Sequence, residues 1–226
     1  MTDIWTEASA GSNGQPPPTA MIYVVDDNSE LRKSLHFLLA TMNITTWPFS
    51  GAEDFLAQLP SLEPAPILLD IRMPDMSGIE CLTELTARSI RWPVIVMSAH
   101  GDIAIAVSAM KLGAIEFLEK PFEAGAIDIA LNRAFTILSE ITRTTLVRDT
   151  ARKLFARLTP REAEVVTELM KGLPNKVVAH RLSLSTRTVE MHRATAMGKL
   201  GIKSIAEAIA IAGGLSSTTS QPGEPI

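Results

Sequence analysis

Five short apolar segments, each followed by a segment with helical periodicity, constrain the fold of this chain more than any other feature. Each has the length of a β-strand, and they occupy residues 21–25, 44–49, 66–70, 93–97 and 115–118. The segments between them repeat apolar residues at helical spacing, as Leu31, Leu35 and Leu38 do after the first. This alternation predicts an α/β fold, a doubly wound parallel sheet of five strands covered by helices.

Polar residues follow the carboxyl ends of these apolar segments. They are Asp26 and Asp27 after the first, Asp70 at the end of the third, Ser98 after the fourth and Lys120 after the fifth. The carboxyl ends of parallel strands meet at one edge of a sheet, where open α/β folds bind ligands. Three carboxylates there repel one another unless a cation neutralises them, and an all-oxygen ligand set favours Mg²⁺.

A hydroxyl and an ammonium complement this predicted metal site. Ser98 and Lys120 are donors suited to a phosphoryl group, whose negative charge is spread over its oxygens. Asp70 is then the candidate nucleophile and would form an acyl phosphate. Taken singly, an Asp at a strand end is more often a cap, and a lysine more often a surface charge. The prediction therefore rests on the complete set.

These residues lie in motifs that resemble the receiver domain of two-component response regulators. The motifs are the acidic pair after the first strand, LLDIRMPDMSG around Asp70, MSA ending at Ala99, and FLEKPF from Phe117 to Phe122. The resemblance covers about residues 21–141 and implies a flavodoxin-like receiver. It implies that Asp70 takes a phosphoryl group from a phosphohistidine of a cognate sensor histidine kinase.

The same resemblance implies a role for each residue around Asp70. Asp27 and Asp70 would bind Mg²⁺ directly with the backbone carbonyl of Arg72, and Asp26 would help through water. The phosphoryl oxygens would be contacted by Ser98, Lys120 and the backbone N–H of Ala99.

Two further features follow from the receiver resemblance. Phe117 would be the switch aromatic, which turns inward when Ser98 moves toward the phosphate, and the Lys120–Pro121 bond would be cis. The family's dimer surface, on the fourth helix and fifth strand, includes Val107 and Lys111 here. The chain would therefore form homodimers when it is phosphorylated.

The charge of the chain changes sign along its length. Residues 1–150 carry a net charge of −9 and residues 151–213 a net charge of +6, which suggests a second region that contacts a polyanion. Thr159, Pro160 and Glu162 predict a helix start there. Three further helices are predicted at about residues 175–182, 186–200 and 204–212.

Two short helices joined by a tight turn suggest a helix-turn-helix that reads DNA. At about 100° per residue, Val189, Ala196 and Leu200 share one face of the second of these helices and should pack inward. The opposite face, free to enter a major groove, carries four residues: Arg187, Glu190, Met191 and Ala194. A solvated helix face would show the same pattern, so the pattern alone leaves both readings open.

The residues of this region resemble the LuxR-type helix-turn-helix of the FixJ/NarL class of regulators. The resemblance is carried by LTPREAEVV, GLPNKVVAHRL and STRTVEMHRATAMGKLG, which lie within residues 158–213. It implies base-edge contacts from Glu190, Met191 and Ala194. It places four residues nearer the phosphates: Lys176, Thr188, His192 and Lys199. Arg187 is the remaining candidate for contact with DNA.

Together the two resemblances imply a transcription regulator switched by phosphorylation. Phosphorylation would relieve inhibition of the helix-turn-helix and promote dimers on double-stranded promoter DNA, with RNA polymerase as a further partner. The expected cofactor is Mg²⁺. An alternative is a regulator that binds DNA independently of phosphorylation, with a receiver that does not switch. An aspartyl-phosphate phosphatase is disfavoured, because Asp26 and Asp27 are adjacent whereas those enzymes separate their two acids by one residue.

The remaining expectations concern organisation and location. We expect a disordered tail at residues 1–20, a receiver at 21–141, a linker at 142–157 that is either helical or flexible, a DNA-binding domain at 158–213 and a disordered tail at 214–226. No apolar run reaches the ~18 residues that span a bilayer, and no basic segment opens the chain. We therefore expect a cytoplasmic protein with no membrane partner. The receiver resemblance implies no enzymatic activity beyond its own phosphotransfer and dephosphorylation.

Overall fold

Two compact units make up the chain, and they divide between Glu140 and Ile141. A computed structural model describes residues 20–99 and 103–216. Residues 1–19 and 217–226, which hold most of the two predicted tails, lie outside the described residues. Ala20 and residues 214–216 were also assigned to those tails. They belong instead to the first strand and the last helix.

The first unit contains a five-stranded parallel sheet with strand order β2-β1-β3-β4-β5. The strands are β1 (Ala20–Val25), β2 (Ile44–Phe49), β3 (Ile67–Asp70), β4 (Val94–Ser98) and β5 (Glu116–Glu119). The predicted doubly wound fold is therefore confirmed. The strand order reverses between β1 and β3, and the crevice at their carboxyl ends is where such sheets bind ligands.

Five helices alternate with these strands, namely α1 (Ser29–Thr41), α2 (Ala52–Gln58), α3 (Gly78–Ala87), α4 (Ile103–Lys111) and α5 (Ala124–Phe155). Asn28 caps α1 by accepting the backbone N–H groups of Glu30 and Leu31. Ser50 and Glu53 have the spacing of a capping box for α2, but the helix begins one residue later than that pattern predicts. The N-cap is Gly51, which has no side chain to accept a hydrogen bond.

Successive residues of each central strand pack into opposite core layers, because side chains alternate along a strand. Ile22 and Val24 contact the layer that contains the apolar residues of α1 and α5. Tyr23 and Val25 contact the other layer, beneath α2 and α3. Helices cover both faces, which explains why β1, β3 and β4 read as almost continuous apolar runs.

Helix α5 is longer than the sequence predicted. The receiver was expected to end at residue 141, but the helix continues to Phe155, so most of the predicted linker takes the helical of its two expected forms. Residues 141–155 contain no Gly or Pro, so nothing in this segment stops a helix that is already formed. No helix within the described ranges combines the length and the apolar character needed to cross a membrane.

The second unit adds four helices, α6 (Pro160–Met170), α7 (Asn175–Arg181), α8 (Thr186–Leu200) and α9 (Ile205–Ser216). The predicted capping box of Thr159 and Glu162 is present at the start of α6. Ser185 caps α8 by accepting the N–H of Thr188. Gly201 ends α8 with φ of 69°, a left-handed conformation that suits glycine.

Candidate functional site

The strand ends bring the predicted polar residues of the receiver to one edge of the sheet. Val25 lies opposite Leu69 in the parallel ladder, so the residues after β1 and at the end of β3 are neighbours. On the other side of β1, the backbone N–H of Asp26 donates to the carbonyl of Phe49 at 3.2 Å, which extends the ladder between β1 and β2 by one residue. The acidic pair is thereby held beside Asp70.

Asp26, Asp27 and Asp70 form a cluster in which one carboxylate oxygen of each lies within 4.8 Å of the others. Asp26 is fully buried, Asp70 is 5% exposed and Asp27 is exposed to solvent. Two buried carboxylates this close need a positive charge to offset their repulsion. The all-oxygen donor set, open on the Asp27 side, fits a hard cation such as Mg²⁺, which keeps several of its waters.

Lys120 supplies positive charge to this cluster from the end of β5. Its ammonium donates to Oδ2 of Asp26 and to Oδ1 of Asp70, each at 2.7 Å. The backbone N–H of Lys120 donates to the carbonyl of Ser98 at 2.7 Å, which ties β5 to β4 at this edge. The Lys120–Pro121 bond is cis, as the resemblance implied.

The environment of Asp70 opposes its ionisation. Burial raises the pKa of the Asp70 carboxyl, the negative charges of Asp26 and Asp27 add to the rise, and the hydrogen bond and charge of Lys120 oppose it. A nucleophilic carboxylate must be ionised. Lys120 therefore keeps Asp70 closer to the reactive form than burial alone would allow.

The neighbouring predicted residues surround this cluster in different environments. Ser98 is fully buried at the end of β4, and Ala99 is exposed directly after it. Phe117 is half-buried and packs against the core layer that contains α2 and α3. The side chain of Arg72 is exposed, and because a guanidinium is a cation without an acceptor, only the backbone carbonyl of Arg72 can serve the predicted metal site.

Gly78 is a residue of this site whose importance the sequence analysis missed. A Cβ atom at Gly78 would lie 2.2 Å from the backbone oxygen of Asp70 and 2.9 Å from the Cα of Ile71. The N–H of Gly78 donates to the carbonyl of Ile71 at 2.9 Å, which fixes the start of α3 against the end of β3. Only a residue without a side chain permits this approach.

In the second unit, α8 carries its apolar and polar residues on opposite faces as predicted. Val189, Ala196 and Leu200 are buried. Four residues on the opposite face are exposed: Arg187, Glu190, Met191 and Ala194. Among the residues expected near phosphates, Lys176 is exposed, whereas Thr188 and His192 are half-buried.

Lys199, which was expected near the phosphates, forms an ion pair inside the second unit. Its Nζ lies 2.9 and 2.7 Å from the two carboxylate oxygens of Glu162, a buried residue of the α6 capping box. The backbone N–H of Thr159 donates to the same carboxylate. Because the two partners are 37 residues apart in the chain, no local pattern predicted this ion pair.

The remaining charges of the second unit divide into paired and unpaired groups. Arg161 pairs with Glu164, and both Lys171 and Arg181 pair with Glu168. Within described residues 158–213, four cations form no ion pair, namely Lys176, Arg187, Arg193 and Lys203. Arg193 and Lys203 were not among the residues predicted to contact DNA. Only the ion pairs of the folded unit distinguish them from the paired cations.

The exposed face of α4 carries apolar residues in addition to Val107, which the resemblance assigned to the dimer surface. Val107 is 46% exposed and Lys111 is also exposed, as a dimer surface requires. Ile103 and Met110 are exposed as well. Ile103, Val107 and Met110 follow the i, i+4, i+7 spacing of one helix face. These three residues form the α4 stripe.

Comparisons with known proteins match both units. The family model described as the response regulator receiver domain matches residues 22–132, and the model for bacterial regulatory proteins of the luxR family matches residues 156–212. FixJ of Bradyrhizobium diazoefficiens is 38% identical over 84% of this chain and 93% of its own length. FixJ of Rhizobium meliloti is 40% identical over 85% of this chain and 96% of its own length.

Solved structures agree with these sequence matches. The response regulator StyR is 37% identical, with a TM-score of 0.76, over 87% of this chain and 99% of its own. Full-length FixJ from B. japonicum is 36% identical, with a TM-score of 0.55, over 88% of this chain and 98% of its own. The chain therefore belongs to the response regulators of two-component systems, as a FixJ-like transcription regulator in which a receiver domain precedes a LuxR-type DNA-binding domain.

Proposed function

We propose that Asp70 is the phosphoryl acceptor through which a sensor histidine kinase controls DNA binding by this regulator. The observation that carries the proposal is the position of Lys120, whose ammonium lies 2.7 Å from both Asp26 and Asp70. The ammonium of Lys120 can offset the negative charge of a phosphoryl group on Asp70, and the carboxylates can hold a metal ion that adds further positive charge. Ser98 lies on the same edge of the sheet.

The metal in this proposal is Mg²⁺. Asp27 and Asp70 would hold it with the backbone carbonyl of Arg72, and Asp26 would contribute through water. Mg²⁺ would supply positive charge to the phosphoryl oxygens. The support for this assignment is the carboxylate cluster, whose oxygens lie within 4.8 Å of one another.

In the transfer step, an oxygen of Asp70 attacks the phosphorus of the kinase phosphohistidine. The P–N bond breaks as the new P–O bond forms, and the imidazole leaves with its electron pair. Ser98, Lys120 and the N–H of Ala99 donate to the phosphoryl oxygens. Movement of Ser98 toward the phosphate then favours the inward position of Phe117. Ser98 and Phe117 together form the two-state element that transmits phosphorylation to the rest of the receiver.

The output is binding of a homodimer to paired half-sites in promoter DNA. The outward face of α8 enters the major groove with Glu190, Met191 and Ala194 at base edges. Lys176 and Arg187, which are exposed and unpaired, contact phosphates with help from Thr188 and His192. In the unphosphorylated chain the receiver restrains the DNA-binding domain or its dimerisation. We propose that the regulator acts in the cytoplasm, engages RNA polymerase and catalyses only its own phosphotransfer and dephosphorylation.

The test compares wild type with Asp70→Asn in the presence and absence of Mg²⁺ and acetyl phosphate. DNA sites are first selected from a random duplex library with the full-length chain, and binding to them and dimer mass are then measured. Asp75→Asn is the matched control, because Asp75 is an exposed acid in the same loop and asparagine tolerates its φ of 63°. The donor should tighten binding and produce dimers in wild type and Asp75→Asn only.

Other outcomes would point elsewhere. Equal binding and equal mass in all samples would support the alternative, in which the receiver does not switch DNA binding. Phosphorylation that persists in Asp70→Asn, detected as an intact-mass increase, would remove Asp70 as the acceptor.

A further inference from the structure

Among described residues 158–213, one carboxylate on the outward face of α8 has no ion-pair or hydrogen-bond partner. Residues 158–213 contain five glutamates and no aspartate. Three of the glutamates form ion pairs, and Glu207 accepts hydrogen bonds from Ser204 and from the backbone N–H of Lys203. Glu190 forms no ion pair or hydrogen bond within the described part of the chain.

A carboxylate on this face is repelled by the phosphates of every DNA sequence. The unpaired cations of described residues 158–213, which include Lys176 and Arg187, attract the same phosphates. None of these cations lies within ion-pair distance of Glu190. A contact made only with certain bases would offset this repulsion, so Glu190 is placed to discriminate among sequences.

The helix geometry puts Glu190 in the middle of the reading face. Arg187, Glu190 and Ala194 are successive turns of α8 and span about 10 Å along its axis at ~1.5 Å per residue. That length corresponds to about three base pairs at ~3.4 Å each. The small side chain of Ala194 leaves space beside Glu190, and both side chains are exposed.

The major groove offers only one base that suits a lone carboxylate. Guanine presents the acceptors N7 and O6, and thymine presents the acceptor O4, so both repel it. Adenine presents its N6 amino donor next to the acceptor N7. Cytosine presents the N4 amino donor without an adjacent acceptor of its own.

We infer that Glu190 is a specificity-determining residue, which selects a cytosine in each half-site by accepting a hydrogen bond from its N4 amino group. This inference rests on the proposed function, because it requires α8 to enter the major groove. It adds the chemical identity of one base and the residue that reads it. Arg187 and Lys176 then supply affinity, and Glu190 supplies discrimination.

The test selects binding sites from a random duplex library with the full-length chain, treated with Mg²⁺ and acetyl phosphate. Wild type should enrich one cytosine per half-site and should lose about 5- to 150-fold in affinity when that C·G pair is replaced. Glu190→Gln should change the enriched base at that position to adenine, which glutamine can bind through N6 and N7. Glu190→Ala should accept all four bases there.

Glu164→Gln is the matched control, since it removes a negative charge from the same unit but at an ion-paired residue on α6. Any rise in affinity that it shares with Glu190→Gln reports net charge alone, and the control should keep the wild-type cytosine. An unchanged base preference in both Glu190 variants would overturn the inference while leaving the proposed function intact. A wild-type chain that enriches no sequence would instead overturn DNA reading itself, and the inference with it.

Discussion

At the scale of single residues, Gly78 controls how closely α3 approaches the strand that carries Asp70. An alanine Cβ there would lie 2.2 Å from the Asp70 carbonyl oxygen, a backbone atom that cannot move without displacing the end of β3. We expect Gly78→Ala to lower the free energy of unfolding by about 1–3 kcal/mol, as overpacking does. Phosphorylation of Asp70 by acetyl phosphate should slow as well, because the acceptor is displaced.

Gly125→Ala is the control for this prediction. Gly125 lies in the first turn of α5, and nothing lies within 4 Å of the position of its added Cβ. The free energy of unfolding of Gly125→Ala should equal that of wild type or exceed it by up to about 1 kcal/mol. Urea unfolding followed by tryptophan fluorescence measures both variants, and equal stability and phosphorylation rates in Gly78→Ala and wild type would contradict the prediction.

At the scale of elements, the ion pair of Glu162 and Lys199 joins the first turn of α6 to the end of α8. The hydrogen bonds from Lys199 and from the N–H of Thr159 lower the pKa of Glu162. A carboxyl group whose pKa is lowered by folding stabilises the folded state at pH values above its unfolded pKa, about 4.3. This stabilisation disappears as the pH falls through the folded pKa. Glu162→Gln keeps a side chain that can complete the capping box but loses the ion pair.

We therefore expect Glu162→Gln to melt at a lower temperature than wild type at pH 7, with a difference in melting temperature that narrows as the pH falls below the unfolded value of about 4.3. All three tryptophans precede residue 141, so circular dichroism follows both units and tryptophan fluorescence follows the first unit alone. Only the dichroism transition should shift. Glu164→Gln, which breaks an exposed ion pair with Arg161, should lower the free energy of unfolding by only ~0–1 kcal/mol. A difference that is independent of pH would show that the ion pair does not stabilise the unit.

The elements differ in how far the sequence could predict them. Strand ends could be predicted, because an apolar run followed by a polar residue is a local signal, and parallel strands bring such ends together. The continuation of α5 to Phe155 was left open between a helical and a flexible linker, since neither a stop signal nor a strong apolar face marks residues 141–155. The Gly78 contact and the Glu162–Lys199 pair were missed. They depend on which elements touch in the folded chain, and no local pattern records that.

At the scale of the whole molecule, the proposed regulation by phosphorylation can act by changing how copies of the chain associate. Ile103, Val107 and Met110, the α4 stripe, expose three apolar side chains on one helix face next to Lys111. Two copies that bury this stripe together would bring two α8 helices to paired half-sites. Linking two binding events in this way raises the affinity for DNA by about 10²–10⁴-fold without new DNA contacts.

Val107→Asp places a carboxylate in the centre of the α4 stripe of both copies, where it would be desolvated beside its counterpart. We expect it to abolish the dimer formed with acetyl phosphate and Mg²⁺ and to weaken binding to paired half-sites by about 100-fold or more. Binding to a single half-site should not change, because α8 is untouched. Phe37→Asp is the control, since Phe37 is 72% exposed on α1, away from the stripe. Light scattering and DNA titration measure both variants, and loss of dimers in Phe37→Asp instead of Val107→Asp would assign dimerisation to α1.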